Sequence, residues 1–304
     1  MQKLIFGCGY LGLRVADRWA AAGIPVCAVT RDRDKGSALR SRGIEPLVAD
    51  IMSPDSLRRL PVADTVLFAV GHDRRCGHSI RQLYVDGLKN VLEHLPQGIG
   101  RLIYISSTGV FGQSDGSWVD EESPCEPTRE GGRACREAEL VLQRHPLGRQ
   151  AAILRLAGLY GPGRIPRVRQ LLDGLPIDAP SEGYLNLIHV DDAARVVIAA
   201  DEKAPLPSLY CVSDGHPVLR RDYFRQLAAG LGAVEPQFRE PQPDSPARLR
   251  ASASKRVSNR RLLSQLGCQL QYPSYREGLA AIVRTASAPT DTMRAGRASG
   301  NRPS

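Results

Sequence analysis

The chain has few of the features that mark exported, membrane-bound or metal-binding proteins. No apolar run approaches the roughly 20 residues that a transmembrane helix needs. The seven cysteines are odd in number and scattered, and they form neither a Cys-x-x-Cys pair nor a Cys/His cluster at metal-ligand spacing. Met1 leads directly into a strand pattern, without the basic and apolar regions of a signal peptide. We therefore expect a cytoplasmic protein with reduced thiols, no bound metal and no membrane contact.

Lysine is also scarce, so the positive charge is carried almost entirely by arginine. The net charge is +9, yet the chain has only five lysines, and its arginines are spread without a basic run interleaved with aromatic residues. Nucleic-acid binding relies on clustered positive charge. We therefore expect no nucleic acid as a partner. The expected partner is a small-molecule substrate, which could be anionic. The sequence does not indicate an oligomeric state.

Short apolar runs alternate with amphipathic stretches over the first two thirds of the chain. The runs are KLIF, PVCAV, EPLVA, TVLFAV, RLIYIS and AAILRL, and the stretches between them cover 11–22, 34–42, 53–60, 78–95 and 132–145. This βαβ rhythm predicts an α/β fold with a Rossmann-type, doubly wound parallel sheet. Ligands should bind beyond the carboxyl ends of its strands.

The alternation weakens from about residue 213, where prolines gather around 236–246 and a helical pattern covers 220–230. We predict a dinucleotide-binding domain and a smaller substrate lobe, the first formed by 1–160 plus about 186–212, the second by about 161–185 and 213–285. The small and polar segment 286–304 is predicted to be a disordered tail.

The most specific local motif is a glycine turn between the first strand pattern and the first helix pattern. It reads Gly7-x-Gly9-x-x-Gly12. The first glycine permits a tight bend, the second lets the backbone approach a pyrophosphate, and the third lets the helix pack on the strand. A turn that serves only strand–helix packing is the alternative. We predict a dinucleotide site lined by Gly7, Gly9, Tyr10, Leu11 and Gly12.

The end of the second strand bears on the choice between NADP(H) and NAD(H). An acidic side chain there binds the ribose hydroxyls of NAD and repels a 2′-phosphate. This chain has Thr30 and Arg31 at that point, and a guanidinium pairs well with phosphate. We therefore expect NADP(H) to be preferred. Asp32 leaves the alternative open, since as a ribose acceptor it would make NAD(H) the cofactor.

Two further loops should complete the cofactor pocket. Asp50 follows the third strand, where its carboxylate could bind an adenine amino group or, alternatively, cap the next helix. Ile51 lies beside it. The loop after the fourth strand begins with Ala69, Val70 and Gly71, which we also assign to cofactor binding.

Motifs beyond residue 100 are similar to those of a known family. They read YISSTGVFG from Tyr104, WVDE from Trp118, LRLAGLYGPG from Leu154, NLIHVDDA from Asn186 and YCVSDG from Tyr210. Together they resemble the extended short-chain dehydrogenase/reductases, the nucleotide-sugar epimerase and dehydratase group, over about 1–285. The resemblance implies that Ser107 polarises a substrate oxygen. One departure is Phe6, which stands where the family usually has its first glycine.

A larger departure concerns proton transfer. The family uses a Tyr-x-x-x-Lys pair on one helix face, where the ammonium lowers the phenol pKa. Those positions fall here on Gly131 and Cys135. The neighbouring arginines, Arg133 and Arg136, could supply positive field but cannot act as an acid or base. The chain therefore resembles the atypical members of the group, which keep the fold and the cofactor loop but lack the usual proton-transfer residues.

Two residues are candidates to replace the missing pair. Tyr84 aligns with the family's structural asparagine, on a helix that borders the nicotinamide end of the pocket. With Ser107 it could transfer a proton or anchor substrate; a packed core tyrosine is the alternative. His72 follows the fourth strand and is a candidate general acid, unless it is a solvated loop residue. Cys135 itself is interpreted as a small buried residue rather than a reactive thiol.

The remaining candidates concern the substrate and the second lobe. We assign Thr108, Arg155 and Arg164 to substrate binding. For the two arginines the resemblance implies this role, because related epimerases meet the substrate diphosphate around the LRLAGLYGPG segment. Solvated arginines are the alternative. His189 and the following aspartates are interpreted as a helix start rather than a metal site.

Three functions are compatible with these features. The first is an NADP(H)-dependent oxidoreductase or epimerase-like enzyme with an atypical site, acting on a carbonyl or hydroxyl substrate, with nucleotide sugars among the candidates. The second is a regulator that senses the dinucleotide in the same pocket without catalysis. The third, a basic nucleic-acid module, lacks a clustered patch.

Overall fold

A computed structural model of the chain describes residues 1–242, 245, 248 and 253–287. The strands of these residues are β1 (Lys3–Phe6), β2 (Val26–Thr30), β3 (Ile44–Val48), β4 (Thr65–Phe68), β5 (Arg101–Ser107), β6 (Trp118–Val119), β7 (Ala151–Leu156), β8 (Gly158–Tyr160), β9 (Ile177–Asp178), β10 (Tyr184–Leu185), β11 (Leu187–His189), β12 (Ser208–Val212), β13 (Val218–Leu219), β14 (Phe238–Arg239) and β15 (Arg256–Val257).

Helices connect most of these strands. They are α1 (Gly12–Ala21), α2 (Arg33–Arg40), α3 (Gly87–His94), α4 (Glu130–Arg144), α5 (Val168–Leu172), α6 (Val190–Lys203), α7 (Arg220–Leu231), α8 (Arg260–Leu266) and α9 (Tyr275–Ser287). A π-helix, Gln82–Asp86, runs into α3, and shorter 3₁₀ turns cover Pro54–Arg59, Arg74–Cys76, Thr108–Val110 and Pro146–Gln150. None of the helices in the described ranges is both long enough and apolar enough to span a membrane.

Seven strands form one parallel sheet in the order β12-β7-β5-β4-β1-β2-β3. Strand β1 pairs with β2 on one side and with β4 on the other. Strands β2 and β3 therefore lie on one side of β1, and the later strands lie on the other. Open α/β sheets bind ligands at such a switch point in strand order. The predicted Rossmann-type doubly wound fold is confirmed, with β12 added beside the six strands read from the apolar runs.

The alternation of side chains along each strand builds a core on both faces of the sheet. In β1, Ile5 packs toward Val15 and Trp19 of α1, whereas Leu4 and Phe6 face the opposite core. All four residues of β1 are buried. Burial on both faces explains why the parallel strands read as continuous apolar runs rather than as alternating ones.

The second lobe has its own aromatic core, formed by residues from 160–187, α7 and α9. Tyr160, Tyr223, Phe224 and Tyr275 pack there with Leu279. Helix α9 ends at Ser287, so it includes the first two residues of the predicted tail. The rest of that tail, 288–304, lies outside the described residues. The domain boundaries stay a prediction.

Asp214 makes the stability of this lobe dependent on pH. The side chain is buried after β12, and burial raises its pKa to about 7, although the amide and ring of His216 oppose the shift. The negative charges of Glu277 add to it. Because the folded pKa exceeds the unfolded value of about 3.9, the folded state holds this proton more tightly. Its stabilising contribution is complete below about pH 4 and is lost as the pH rises through 7.

We predict that Asp214→Asn removes this pH dependence. Relative to the variant, the wild-type protein should lose about 2 kcal/mol of unfolding free energy between pH 5 and pH 8. Urea denaturation of both proteins at the two pH values measures the difference. The exposed Asp173→Asn serves as the control and should parallel the wild type. Equal pH dependence in all three proteins would contradict the prediction.

Candidate functional site

The glycine turn forms the centre of the site at the switch point. Gly7 has a φ of +88°, and a Cβ there would collide with the backbone of Ala69 at the end of β4. A Cβ on Gly12 would collide with the carbonyl oxygen of Gly7. A Cβ on Gly9, in contrast, would meet no atom of the described residues within 4 Å. The backbone is therefore closely packed at the first and third glycines and open at the second, as a pyrophosphate cradle requires.

The start of α1 fits the same ligand. Leu11 precedes the helix without a side-chain cap, and the first turn has no acidic residue. Tyr10 and Leu11 therefore leave the helix N-terminus without a competing negative charge, which favours a phosphate there. The residues of this turn fit the pyrophosphate of a nicotinamide dinucleotide, whose chemistry is hydride transfer.

At the adenosine end, Arg31 is exposed directly after β2. The Asp32 side chain caps helix α2, because its Oδ1 accepts a hydrogen bond from the amide of Asp34 at 2.9 Å. The amide of Asp32 donates to Thr30 Oγ1 at 3.2 Å. Hydrogen bonds from Arg75 hold the pKa of Asp73 below its usual value, and Arg31 contributes to the shift. The charge of Arg31 therefore acts on the loop after β4.

The loop after β3 is held by Asp50. Its Oδ1 accepts the amide of Met52 at 2.9 Å, while its own amide donates to Ser56 Oγ at 2.9 Å. Asp50 thus organises the turn before the 3₁₀ segment, and its contact with adenine stays a prediction. Ile51 is buried, and its carbonyl accepts Asn90 Nδ2 at 2.8 Å.

The loop after β4 leads to the nicotinamide end. Ala69 continues the sheet by donating its amide to Phe6, whereas Val70 and Gly71 lie partly or fully exposed beyond it. The amide of His72 donates to the hydroxyl of Tyr84 at 3.3 Å, and His72 Nε2 lies 3.1 Å from the carbonyl oxygen of His78. The His72 ring is therefore engaged within its own loop, and a general-acid role for it stays a prediction.

Tyr84 lies within the π-helix, a local irregularity that is frequent at functional sites. Its side chain is half-buried, and it packs against the cluster that contains Cys135. Burial raises the pKa of Tyr84, with Cys135 as the next cause, while Arg164 opposes the shift. The structure thus places this phenol beside the position where the family has its lysine.

Ser107 ends β5 at the edge of the crevice. Its Oγ accepts the amide of Gly109 at 3.0 Å, which starts the 3₁₀ turn that contains the buried Thr108. Helix α4 approaches this turn so closely that a Cβ on Gly132 would collide with the carbonyl oxygen of Gly109. Arg129 Nη2 comes within 3.6 Å of the Cβ position of Gly109. Arg129 is a cation near Ser107 that the sequence patterns did not single out.

The positions of the missing pair lie among apolar neighbours. A Cβ on Gly131 would lie 3.3 Å from Cδ1 of Ile80, so a side chain at position 131 would require Ile80 to shift by a few tenths of an ångström. Cys135 is buried, and burial, together with the negative charge of Glu139, raises the pKa of its thiol to about 12. A thiol with that pKa stays neutral near pH 7, which agrees with the interpretation of Cys135 as a packing residue.

Arg155 lies inside the protein rather than on the wall of the crevice. It is 2% exposed, and its guanidinium donates to Glu139 through Nε at 2.9 Å and Nη2 at 2.8 Å. Ser106 also donates to Glu139, at 2.6 Å. The geometry favours a structural role for Arg155, and its contact with substrate stays a prediction. A charged residue within the apolar run AAILRL signals such a buried partner.

A buried lysine from the predicted second lobe contacts the segment after the Ser107 turn, and a histidine begins helix α6. Lys255 is buried, and its Nζ donates to the carbonyl oxygen of Phe111 at 2.9 Å, just beyond the Ser107 turn. Burial, with a smaller contribution from Arg129, lowers the pKa of Lys255 to about 8. His189 Nδ1 accepts the amide of Asp191 at 3.2 Å and so caps α6, in agreement with its interpretation as a helix start.

Comparison with known proteins identifies the family of this chain. A model of the NAD dependent epimerase/dehydratase family matches residues 4–211. Protein YeeZ of Escherichia coli strain K12 is 30% identical over 281 residues, which cover 90% of this chain and 97% of YeeZ. A protein of Stigmatella aurantiaca, named as a 4-hydroxy-2-methyl-3-oxo-4-farnesyl-3,4-dihydroquinoline-1-oxide ketoreductase, is 25% identical over 241 residues, covering 74% of this chain and 72% of the ketoreductase.

A solved structure shows the same fold at lower identity. DesIV, a dTDP-glucose 4,6-dehydratase from Streptomyces venezuelae with NAD and TYD bound, has a TM-score of 0.78 at 22% identity over 93% of this chain and 96% of DesIV. The family match covers most of the chain, and the similarity to YeeZ covers nearly all of both proteins. The chain therefore belongs to the NAD dependent epimerase/dehydratase family, whose members bind NAD(P) and have oxidoreductase-type functions.

Proposed function

We propose that this protein is an NADP(H)-dependent enzyme that oxidises or reduces a carbonyl or hydroxyl substrate, with nucleotide sugars among the candidates. The observation that carries the proposal is the glycine turn, which is closed at Gly7 and Gly12 and open at Gly9. Membership of the epimerase/dehydratase family and the ketoreductase among its relatives support this reaction class.

Two side chains around the crevice would have different catalytic roles. Ser107 is half-buried at the end of β5, where its hydroxyl would donate to the substrate oxygen and polarise it. Tyr84 would hold or supply the proton, because its hydroxyl lies at the same edge of the sheet as the loop after β4. The positive charge of Arg164 lowers the pKa of Tyr84, although burial outweighs it. This arrangement would replace the tyrosine that Gly131 cannot provide.

Tyr84→Phe tests that role. We expect turnover to fall about 100-fold, the lower end of the contribution of a general acid, while dinucleotide affinity and melting temperature stay close to wild type. NADPH oxidation with a panel of carbonyl compounds and nucleotide sugars measures the loss. Tyr184→Phe removes the hydroxyl of another half-buried tyrosine, on β10, and should leave turnover unchanged. Full activity of Tyr84→Phe would exclude Tyr84 from proton transfer.

Arg31→Asp tests the cofactor preference. The exposed guanidinium after β2 would pair with the 2′-phosphate, so the substitution should lower NADPH affinity at least about tenfold relative to NADH. Fluorescence titration of both dinucleotides gives the ratio. Arg149→Asp makes the same charge change at an exposed position after α4 and should preserve the ratio. An unchanged ratio in Arg31→Asp would leave Asp32 and NAD(H) as the better assignment.

A second candidate is a dinucleotide-sensing regulator without catalysis. The residues at the positions of the family's catalytic pair favour it, because Gly131 has no side chain and burial raises the pKa of the Cys135 thiol to about 12. The substrate panel separates the two functions. An enzyme oxidises NADPH with at least one substrate class, whereas a sensor binds the dinucleotide and changes conformation without turnover.

A further inference from the structure

A cation from the second lobe lies on the glycine turn. The guanidinium carbon of Arg164 is 5.2 Å from the ring centroid of Tyr10, the residue that follows the open glycine of the turn. The hydroxyl of Tyr10 donates to the carbonyl oxygen of Pro162 at 3.2 Å. Gly161 packs so closely that a Cβ there would lie 2.6 Å from that hydroxyl. The segment 161–167 is therefore in direct contact with the proposed pyrophosphate cradle.

The two arginines that contact the Tyr10 ring differ in how their charge is balanced. Arg14, 4.4 Å from the ring centroid, forms an ion pair with Asp191 at 2.9 Å. Arg164 is exposed, and within the described part of the chain no carboxylate forms an ion pair with it. A guanidinium stacked on an aromatic ring keeps its N–H groups available for an anion. Arg164 is thus a cation held at the crevice without an acidic partner.

The charge of Arg164 acts on two parts of the crevice. Burial raises the pKa of both Tyr10 and Tyr84, and the charge of Arg164 opposes the shift at each of them. Tyr10 belongs to the glycine turn and Tyr84 to the nicotinamide end, so Arg164 acts on both. A dinucleotide would carry its pyrophosphate at the glycine turn, where no atom of the described residues lies within 4 Å of a Cβ position on Gly9.

We propose that Arg164 binds the pyrophosphate of the dinucleotide from the second lobe, opposite the amides of the glycine turn. The segment 161–167 then acts as a strap over the cofactor. This inference rests on the proposed function, and it reassigns Arg164 from the substrate contact expected from the sequence to the cofactor. A planar guanidinium suits the task because it donates two parallel hydrogen bonds to phosphate oxygens.

Calorimetric titration of Arg164→Gln with three probes tests the proposal. The probes are NADPH or NADH, whichever the wild-type protein binds more tightly, ADP-ribose, which keeps the pyrophosphate, and AMP, which has one phosphate. We expect the variant to lose at least about tenfold in affinity for the dinucleotide and ADP-ribose, and less than about twofold for AMP. Arg164→Lys keeps the charge without the planar fork and should give an intermediate loss.

Arg169→Gln is the matched control, since it removes an exposed arginine from the adjoining helix α5. If Arg164→Gln bound all three probes as tightly as this control, the proposal would be overturned. Equal losses for all three probes would also overturn it, since they would indicate a general field rather than contact with the pyrophosphate. If the wild-type protein bound neither dinucleotide, the proposed function itself would fail. Wild-type binding that survives in Arg164→Gln refutes the strap alone.

Discussion

Glu139→Gln should lower the free energy of unfolding by about 3–5 kcal/mol, the cost of leaving one partner of a buried ion pair without the other. Glu139 is fully buried, and both of its oxygens accept hydrogen bonds from Arg155, which is itself 2% exposed. A neutral amide would remove the negative charge while the guanidinium stays inside the protein. Urea denaturation at pH 7 measures the change, with an unchanged m-value as the sign of an intact fold.

Two further variants separate the buried charge from the surface charge beside it. Arg136 also donates to Glu139, at 3.1 Å, but it is 31% exposed, so Arg136→Met should cost less than about 1 kcal/mol. The double variant Glu139→Leu with Arg155→Met removes both buried charges and should be more stable than Glu139→Gln. A loss below about 1 kcal/mol in Glu139→Gln would show that Arg155 finds another partner.

The same ion pair also holds the site in place. Ser106 donates to Glu139 and directly precedes Ser107, and the guanidinium of Arg155 lies 5.0 Å from the ring centroid of Phe111. The pair therefore fixes both ends of the turn that presents Ser107 to the crevice. The buried charged cluster between α4 and the sheet therefore supports the turn that carries the proposed polarising hydroxyl.

The sequence was sufficient for six of the seven strands of the sheet and for the glycine turn, because these features have short-range signals. Apolar runs at strand length, separated by helical patterns, specify parallel strands that are buried on both faces. The three glycines of the turn likewise lie within six consecutive residues. Local spacing therefore predicts the turn, whereas the contact between Gly7 and Ala69 is visible only in the folded protein.

The contacts that distinguish this site join distant segments, and local patterns do not contain them. Ile80 fills the place beside Gly131 only because the π-helix region packs on α4. Arg164 reaches Tyr10 because the second lobe folds back over the first loop of the chain. Arg155 lies near the carboxyl end of β7, and only the packing of helix α4 brings Glu139 against its guanidinium. Tertiary packing therefore determines which arginines are buried in ion pairs and which stay exposed.

Gly9→Val should abolish dinucleotide binding without unfolding the protein. The valine side chain would enter the open space beside the turn, where none of the residues that the structure describes comes within 4 Å of the Cβ position. It would hold the pyrophosphate away from at least two amides. Each hydrogen bond to a charged group contributes about 1.5–3 kcal/mol, so affinity should fall about a thousandfold. Calorimetry with NADPH and NADH measures the loss, and thermal unfolding should shift by only a few degrees.

Gly12→Ala, in contrast, should lower the stability of the protein, and it therefore serves as the comparison for Gly9→Val. Its methyl group would collide with the carbonyl oxygen of Gly7, so the turn and the start of α1 must separate and the fold should be destabilised. Loss of binding in Gly9→Val at unchanged stability identifies the open side of the turn as the phosphate site. If Gly9→Val bound both dinucleotides normally, that space would not hold a pyrophosphate, and the cofactor would have to lie elsewhere along the edge of the sheet.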